Sequence, residues 1–103
     1  MDALAMQQRA AEATAFLKRF AHRDRLLIAC ALVEGERAVG ELEVMLGIRQ
    51  PGLSQQLAEL RAAGLVTTRR AGKAVFYRLA DGRVASFIQT LHTLFCVEAP
   101  PHG

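Results

Sequence analysis

Apolar side chains recur at helical spacing along most of the chain and at strand spacing in one stretch past its middle. The first helical segment is rich in Ala, Leu, Met, Gln and Glu and contains no Gly or Pro. Glycines stop the later segments, and Gln50-Pro51 opens the fourth, because proline is tolerated in a first helical turn. The pattern predicts four helices, at residues 3–20, 22–33, 39–46 and from 50 to a stop at Gly64.

The spacing then changes from that of helices to that of strands. Residues 65–70 and 74–79 are two short β-prone runs, and Gly72 between them can adopt the positive φ of a hairpin turn. Asp81 is a good N-cap for a last helix, which we expect to run to about Cys96. That helix carries an apolar stripe of Val84, Phe87, Ile88, Leu91, Leu94 and Phe95.

The order of these elements predicts a mainly α fold with a β-hairpin wing (α+β), the winged helix-turn-helix, in the order α1-α2-α3-α4-β1-β2-α5. In this fold the third helix braces the fourth, the fourth enters a major groove of DNA, and the hairpin is the wing. No internal repeat or long linker divides the sequence. We therefore predict one winged helix-turn-helix DNA-binding domain at residues 1–97, followed by a flexible tail at residues 98–103.

Composition and charge narrow the class of protein. Of the 103 residues, 51% are hydrophobic, which excludes a disordered chain, and no apolar run approaches the roughly 20 residues of a membrane span. Residues 1–9 lack the apolar block of a secretory signal, so we expect a cytoplasmic protein, associated with the nucleoid when bound to DNA. The net charge is +3, but residues 49–83 alone carry seven basic side chains against two acidic ones. This concentration of positive charge favours a polyanionic partner over a merely solvated face.

The basic block coincides with the predicted fourth helix and wing, which together indicate a DNA-reading surface. If Leu53, Leu57 and Leu60 face the core, polar side chains at the start of the fourth helix face outward. Amide and hydroxyl side chains can bond base edges, and Arg or Lys in a wing can bind phosphates. The alternatives to a DNA-reading surface are an ordinary polar helix surface and a hairpin whose charges are only solvated. The residues predicted to contact double-stranded DNA are Gln50, Ser54, Gln55, Gln56, Arg69, Arg70 and Lys73.

Three stretches of the chain resemble the ArsR family of bacterial repressors. The segment from Gly47 to Val66 is similar to that family's recognition helix, and the segment from Arg69 to Leu79 resembles its wing. His22 to Ile28 resembles the second helix, although Arg23 stands where proline is frequent. The resemblance implies a homodimer, built on the first and last helices, that binds an imperfect palindrome and represses transcription. The apolar stripe would supply the dimer interface through Phe87, Ile88, Leu91, Leu94 and Phe95, although packing within one chain could use part of it.

Metal sensing is common in the family, but the ligand positions are occupied by other residues. Glu43 and Met45 stand where one metal-sensing type has cysteines on the third helix. In the type that binds zinc or nickel on the last helix, Asp81 is retained but Arg83, Leu94 and Val97 replace the other ligands. Structural zinc needs a cluster of Cys and His residues. We therefore predict no metal site and no cofactor.

Cys30, on the second helix, and Cys96, late on the last helix, are the two cysteines. Both could be inert thiols, with Cys30 in the core, but Cys96 falls off the apolar stripe with His92 one turn earlier. The two positions resemble those of the persulfide-sensing branch of the family. By that resemblance, reactive sulfur species would join Cys30 and Cys96 through a disulfide or polysulfide and release the DNA.

Other functions remain as alternatives to persulfide sensing. Peroxide or another thiol oxidant could be the inducer, since that chemistry also begins at a thiolate, and a metal ion is a weaker candidate. A thiol oxidoreductase would be expected to show a Cys-x-x-Cys pair or an activated single cysteine, and neither appears, so we predict that the chain is not an enzyme. A protein-interaction module that uses the last helix would leave the basic block unexplained.

Overall fold

The helices and the hairpin form in the predicted order. The computed structural model describes the backbone of residues 2–96 and the side chains of residues 2–95. Five α-helices and three strands follow one another, and a π-helical segment extends the last helix. The predicted tail at residues 98–103 lies outside the described residues. The elements are α1 (Ala3–Arg19), α2 (Arg23–Ala31), β1 (Arg37–Ala38), α3 (Val39–Leu46), α4 (Gly52–Ala62), β2 (Val66–Ala71), β3 (Ala74–Leu79), α5 (Gly82–Leu91) and the π-helical segment (His92–Cys96).

Side chains placed just before three helices satisfy backbone N–H groups that would otherwise have no partner. The Asp2 carboxylate accepts from the Ala5 N–H at 2.7 Å and so caps α1. His22 Nδ1 accepts from the Asp24 N–H at 3.1 Å at the start of α2. Asp81 accepts from the Val84 N–H at 3.0 Å, which confirms the predicted cap of α5. Such caps each stabilise a helix by about 1 kcal/mol.

The sheet has three strands, whereas the sequence predicted only a two-stranded hairpin. β2 and β3 pair antiparallel around Gly72, whose φ of 62° confirms the expected turn. β1 adds to the other side of β3, with Arg37 opposite Tyr77 and Ala38 opposite Phe76. The strand order is β1-β3-β2, so β3 lies in the centre. Two residues are too few to show an alternating pattern, which is why β1 could not be predicted.

The core lies where α2, α3, α4 and α5 meet the base of the wing. The largest fully buried side chains are Ile28, Leu42, Leu53, Leu57, Leu60 and Ile88. The predicted inward face of α4 is therefore confirmed. The assignment of Ile88 to a dimer surface is wrong, because this side chain is fully buried in the core of its own chain.

The last helix differs from its prediction at its end. The α-helix stops at Leu91, and residues 92–96 continue as a π-helix, whose hydrogen bonds span five residues instead of four. In this segment Leu94 and Phe95 are 68% and 79% exposed. Within residues 2–96 there is no helix whose length and apolar character would let it cross a bilayer.

Candidate nucleic-acid interface and cysteine groove

Helix α4 presents a polar side to solvent because its three leucines are turned inward. Ser54, Gln55 and Ala58 are exposed on that side. The short hydroxyl and methyl side chains leave room for a close approach, and the Gln55 amide can bond a base edge in bidentate fashion. Gly47, in the left-handed conformation with φ of 66°, ends α3 and allows the tight turn towards α4. The first turns of α4 therefore have the shape and chemistry needed to enter a DNA groove.

Gln50 is bound at both ends of its side-chain amide. Its Nε2 donates to Glu43 Oε1 at 2.9 Å, and its Oε1 accepts from the Ser54 N–H at 3.0 Å. The N-cap residue Pro51 has no side-chain capping bond, so Gln50 satisfies the first turn of α4 instead. Gln50 is exposed, but any contact with DNA has to compete with this capping role.

Gln56 faces α2 rather than the open side of α4. It is half-buried, and its Oε1 accepts from Arg25 Nε at 2.9 Å. Arg25 also pairs with Glu59 at 2.7 Å and donates to the Arg19 carbonyl oxygen at 3.2 Å. These bonds tie α4 to α2 and to the end of α1. The predicted contact of Gln56 with DNA would therefore have to compete with its bond to Arg25.

Two cations of the wing point into solvent. Arg70, at the end of β2, and Lys73, in the turn, are both exposed. Within residues 2–96, no ion pair or hydrogen bond engages either side chain. Neither cation would have to break a contact within the described part of the protein to bind a phosphate oxygen of DNA.

Arg69, the third predicted wing cation, is instead held within the protein. Its Nε donates to both carboxylate oxygens of Glu36 at 2.9 Å, and its Nη2 also donates to Glu36 Oε1. The guanidinium lies 4.7 Å from the centre of the Phe76 ring. Since Phe76 is opposite Arg69 on one side and Ala38 on the other, the ion pair reaches across the central strand of the sheet.

The pair changes the proton affinity of both partners. Hydrogen bonding from Arg69 lowers the pKa of the Glu36 carboxyl below its ordinary value; the positive charges of Arg69 and Arg78 add to this, and desolvation opposes it. The same contact with Glu36 raises the pKa of Arg69. Glu36 was not among the predicted site residues, since it lies 33 positions from Arg69 and no local pattern links them.

Cys30 lies in an open groove of about 460 Å³ between α2, α3 and the end of the last helix. The side chain is half-buried, and the groove is also lined by Met45 of α3. On the opposite side are Gln89 of α5 and His92 of the π-helical segment. The structure thus brings the helix that carries Cys30 against the segment that ends at Cys96.

Apolar side chains remain exposed on α1 and on the π-helical segment. No residue of α1 is buried, although the helix is 17 residues long. Phe16 packs edge-on against Phe87 with ring centres 5.0 Å apart, and Phe20 completes a three-ring cluster. Of the predicted interface residues, Phe87 and Leu91 are half-buried, whereas Leu94 and Phe95 are exposed. These two helices therefore carry apolar surface that the single chain does not cover.

Among the described residues, no three His, Cys, Asp or Glu side chains come together as metal ligands would. Glu43, at one of the family's cysteine positions, is exposed and bonded to Gln50. Met45, at the other, lines the groove of Cys30.

Comparison with known proteins places the chain in a family. A family model described as "Bacterial regulatory protein, arsR family" matches residues 22–68. The chain is 54% identical over 92 residues to the biofilm growth-associated repressor of Agrobacterium fabrum, covering 89% of this chain and 79% of that protein. The chain belongs to the ArsR family. It is therefore a DNA-binding transcriptional regulator of this family and not an enzyme, as the sequence predicted.

Two further comparisons connect this ArsR-family chain to regulators of different names. It is 43% identical over 96 residues to the transcriptional activator HlyU of Vibrio cholerae, covering 93% of this chain and 89% of that protein. The crystal structure of the transcriptional repressor BigR from Xylella fastidiosa superposes with a TM-score of 0.87 at 46% identity. That match covers 95% of this chain and all of the other, which confirms the winged-helix fold.

Proposed function

We propose that this ArsR-family protein is a homodimeric repressor that binds palindromic operator DNA when its cysteines are reduced. Persulfide or polysulfide then links Cys30 to Cys96 and releases the DNA. The observation that carries the proposal is the groove in which α2, at Cys30, faces the π-helical segment that ends at Cys96. The same small domain therefore holds a candidate thiol switch and a DNA-reading head, by which we mean α4 together with the β2–β3 wing.

The DNA-binding part of the proposal rests on the exposed start of α4 and on the wing. Ser54 and Gln55 present groups that can bond base edges, and Arg70 and Lys73 present charges that can bind phosphates. In a dimer, two such heads must lie about 34–36 Å apart to reach successive major grooves. Operator affinity thus depends on how each head is held relative to the other.

The proposed sulfur chemistry begins at one cysteine thiolate. It attacks the outer sulfur of a persulfide, R–S–SH, and R–SH leaves, so the cysteine itself becomes a persulfide. The second cysteine thiol attacks the protein-bound sulfur of that group, forms the Cys30–Cys96 disulfide and releases H₂S. Two thiols are oxidised while the outer sulfur of the persulfide is reduced to H₂S. If a second persulfide molecule first gives its outer sulfur to the other cysteine and leaves as R–SH, both cysteines are persulfides. The outer sulfur of one then attacks the protein-bound sulfur of the other, H₂S leaves, and a trisulfide forms in place of the disulfide.

A bridge between the two cysteines would couple the sensor to the reading head. α2 packs against α3 and α4, whereas the π-helical segment continues the last helix, which carries the apolar dimer surface. A disulfide requires Cα atoms within about 7 Å, and each inserted sulfur lengthens the reach. The bridge would therefore fix the DNA-reading head relative to the last helix, and so relative to the proposed dimer interface. A coupling of about 1–3 kcal/mol changes operator affinity roughly 5- to 150-fold.

The test compares operator affinity before and after treatment with glutathione persulfide in the wild type, Cys30→Ser and Cys96→Ser. We expect the wild type to lose at least about fivefold in affinity and both variants to lose none. Intact-protein mass then separates a disulfide, a loss of two hydrogens, from a bridge with added sulfur. Unchanged affinity of the treated wild type would refute the sulfur switch, and an equal response to peroxide would identify a general thiol-oxidant sensor.

Repression itself needs a separate measurement, because the relatives include a named activator as well as named repressors. A reporter gene controlled by the operator used in the affinity test should show low expression with the reduced protein and higher expression after persulfide treatment. Expression that requires the bound protein would instead identify an activator.

A further inference from the structure

We propose that Glu36 is a positioning residue for the wing, which holds Arg69 on the outer face of the sheet and leaves Arg70 and Lys73 to contact DNA. The inference rests on the proposed function, since it concerns how the wing of a DNA-binding head is held. It also separates two adjacent arginines that their sequence alone makes equivalent.

The alternation of β2 places the two arginines on opposite faces of the sheet. Val66 is buried, so Thr68 and Arg70 share its face, and Thr67 and Arg69 lie on the other. A hydrogen bond across the sheet supports this assignment, because Arg78 Nε donates to Thr67 Oγ1 at 3.2 Å on that outer face. Arg69 therefore leaves the sheet on the side away from the core.

Glu36 meets Arg69 on that outer face from the opposite edge of the sheet. It immediately precedes β1, which pairs with β3, and β3 in turn pairs with β2. The carboxylate engages Arg69 through both oxygens while the guanidinium rests over Phe76. A bidentate pair fixes the planar guanidinium in orientation as well as in distance. The contact thus braces the hairpin against the segment between α2 and β1.

An arginine held in this way contributes to DNA binding without touching a phosphate. Each phosphate contact makes the negative slope of log K against log salt steeper by about 0.9, whereas a bracing contact changes affinity without changing that slope. Without the Glu36–Arg69 pair, the hairpin is still paired to β1 but is held less firmly. DNA binding then has to order the hairpin, which costs free energy. We expect such a loss to weaken binding about threefold to tenfold, the effect of ordering one side chain.

The experiment measures the salt dependence of binding to a mixed-sequence DNA duplex about three helical turns long. Arg70→Gln should make the negative slope shallower by about one, and Arg69→Gln should leave it unchanged while weakening binding. A slope that becomes equally shallower in both variants would overturn the inference. A wild type that binds no duplex would refute the proposed function itself, and with it this inference.

A matched pair of variants distinguishes the effect of the Glu36–Arg69 contact from the effect of negative charge in the segment between α2 and β1. Glu34→Gln and Glu36→Gln each remove one negative charge two residues apart, but among the described residues Glu34 forms an ion pair only with Arg37, at 3.9 Å. We expect Glu36→Gln to bind the duplex more weakly than Glu34→Gln at the same salt concentration. Equal affinities of the two variants would contradict a positioning role.

The reversed pair completes the test. Arg69→Glu combined with Glu36→Arg keeps the net charge and allows the ion pair to form again. Its affinity and slope should lie close to those of the wild type, while Arg69→Glu alone binds poorly. If position 69 contacts a phosphate, the reversed pair will instead bind as poorly as Arg69→Glu alone.

Discussion

Neighbouring charged residues in this protein have different roles because a strand alternates its side chains between two faces. Arg70 is exposed and engages no other described side chain, whereas Arg69 is bound by Glu36 and rests over Phe76. A count of positive charge in the middle of the chain treats these two side chains alike. The ion pair therefore reduces the number of wing cations that DNA can neutralise without breaking a contact.

The Glu36–Arg69 pair predicts how the wing responds to acid. Because the pKa of Glu36 is lowered by the bond from Arg69, the pair contributes stability above the ordinary glutamate pKa of 4.5. That contribution is lost as the pH falls through the lower pKa of the folded protein. An NMR titration of the Glu36 carboxyl should give a value below 4.5, and Arg69→Gln should raise it. A wild-type value that Arg69→Gln leaves unchanged would contradict the pairing.

Among the elements, the position of α4 depends on one arginine of α2. Arg25 bonds Gln56 and Glu59 of α4 and the Arg19 carbonyl at the end of α1. Its side chain is only 24% exposed, so these contacts are partly shielded from water. A single guanidinium therefore connects α2 to α4 and to the end of α1.

Replacing this arginine should destabilise the fold measurably. We expect Arg25→Ala to lower the free energy of unfolding by about 1–3 kcal/mol, through lost hydrogen bonds and lost packing of the side chain. Arg23→Ala is the matched control, since Arg23 is 83% exposed and, in the part of the chain that the structure describes, pairs only with adjacent Asp24. We expect its effect to stay within about 0.5 kcal/mol. Urea unfolding curves of the two variants check the difference, and equal midpoints would refute it.

The elements predicted from sequence are those that depend on local spacing. Leu53, Leu57 and Leu60 identify the inner face of α4, and Gly72 identifies the wing turn, because each signal lies within a few residues. β1 was missed because its two residues become a strand only by pairing with β3.

The site was predicted less completely than the fold, because contacts between residues far apart in the sequence leave no local pattern. Gln56, Arg69 and Ile88 have the residue types of a binding or dimer surface, yet each is engaged by a group that sequence spacing does not reveal. Gln56 meets Arg25, Arg69 meets Glu36, and Ile88 enters the core. The exposed groups at the start of α4 and at the wing tip lie where the pattern placed them.

At the scale of the whole molecule, the single chain leaves α1 without adequate support. A helix in water is stabilised mainly by packing of an apolar face, and α1 buries none of its residues. Beside it, a groove of about 500 Å³ is lined by Phe16, Leu17 and Phe87. Leu94 and Phe95 are also exposed, on the last helix, and in the proposed dimer a second copy would cover such apolar side chains.

A charge placed on this surface should separate the proposed dimer. Leu17 is 50% exposed on α1, so Leu17→Glu should fold but oppose burial of that helix against a second copy. Light scattering should give the mass of a monomer for this variant and twice that mass for the wild type. Val44→Glu is the control, because Val44 is 86% exposed on α3 and does not line the groove beside α1, and its variant should remain a dimer. A wild type with the mass of one chain, or a dimeric Leu17→Glu, would show that α1 is not the dimer surface. Since two heads are needed to span successive grooves, the monomeric variant should also bind a palindromic duplex more weakly than the control does.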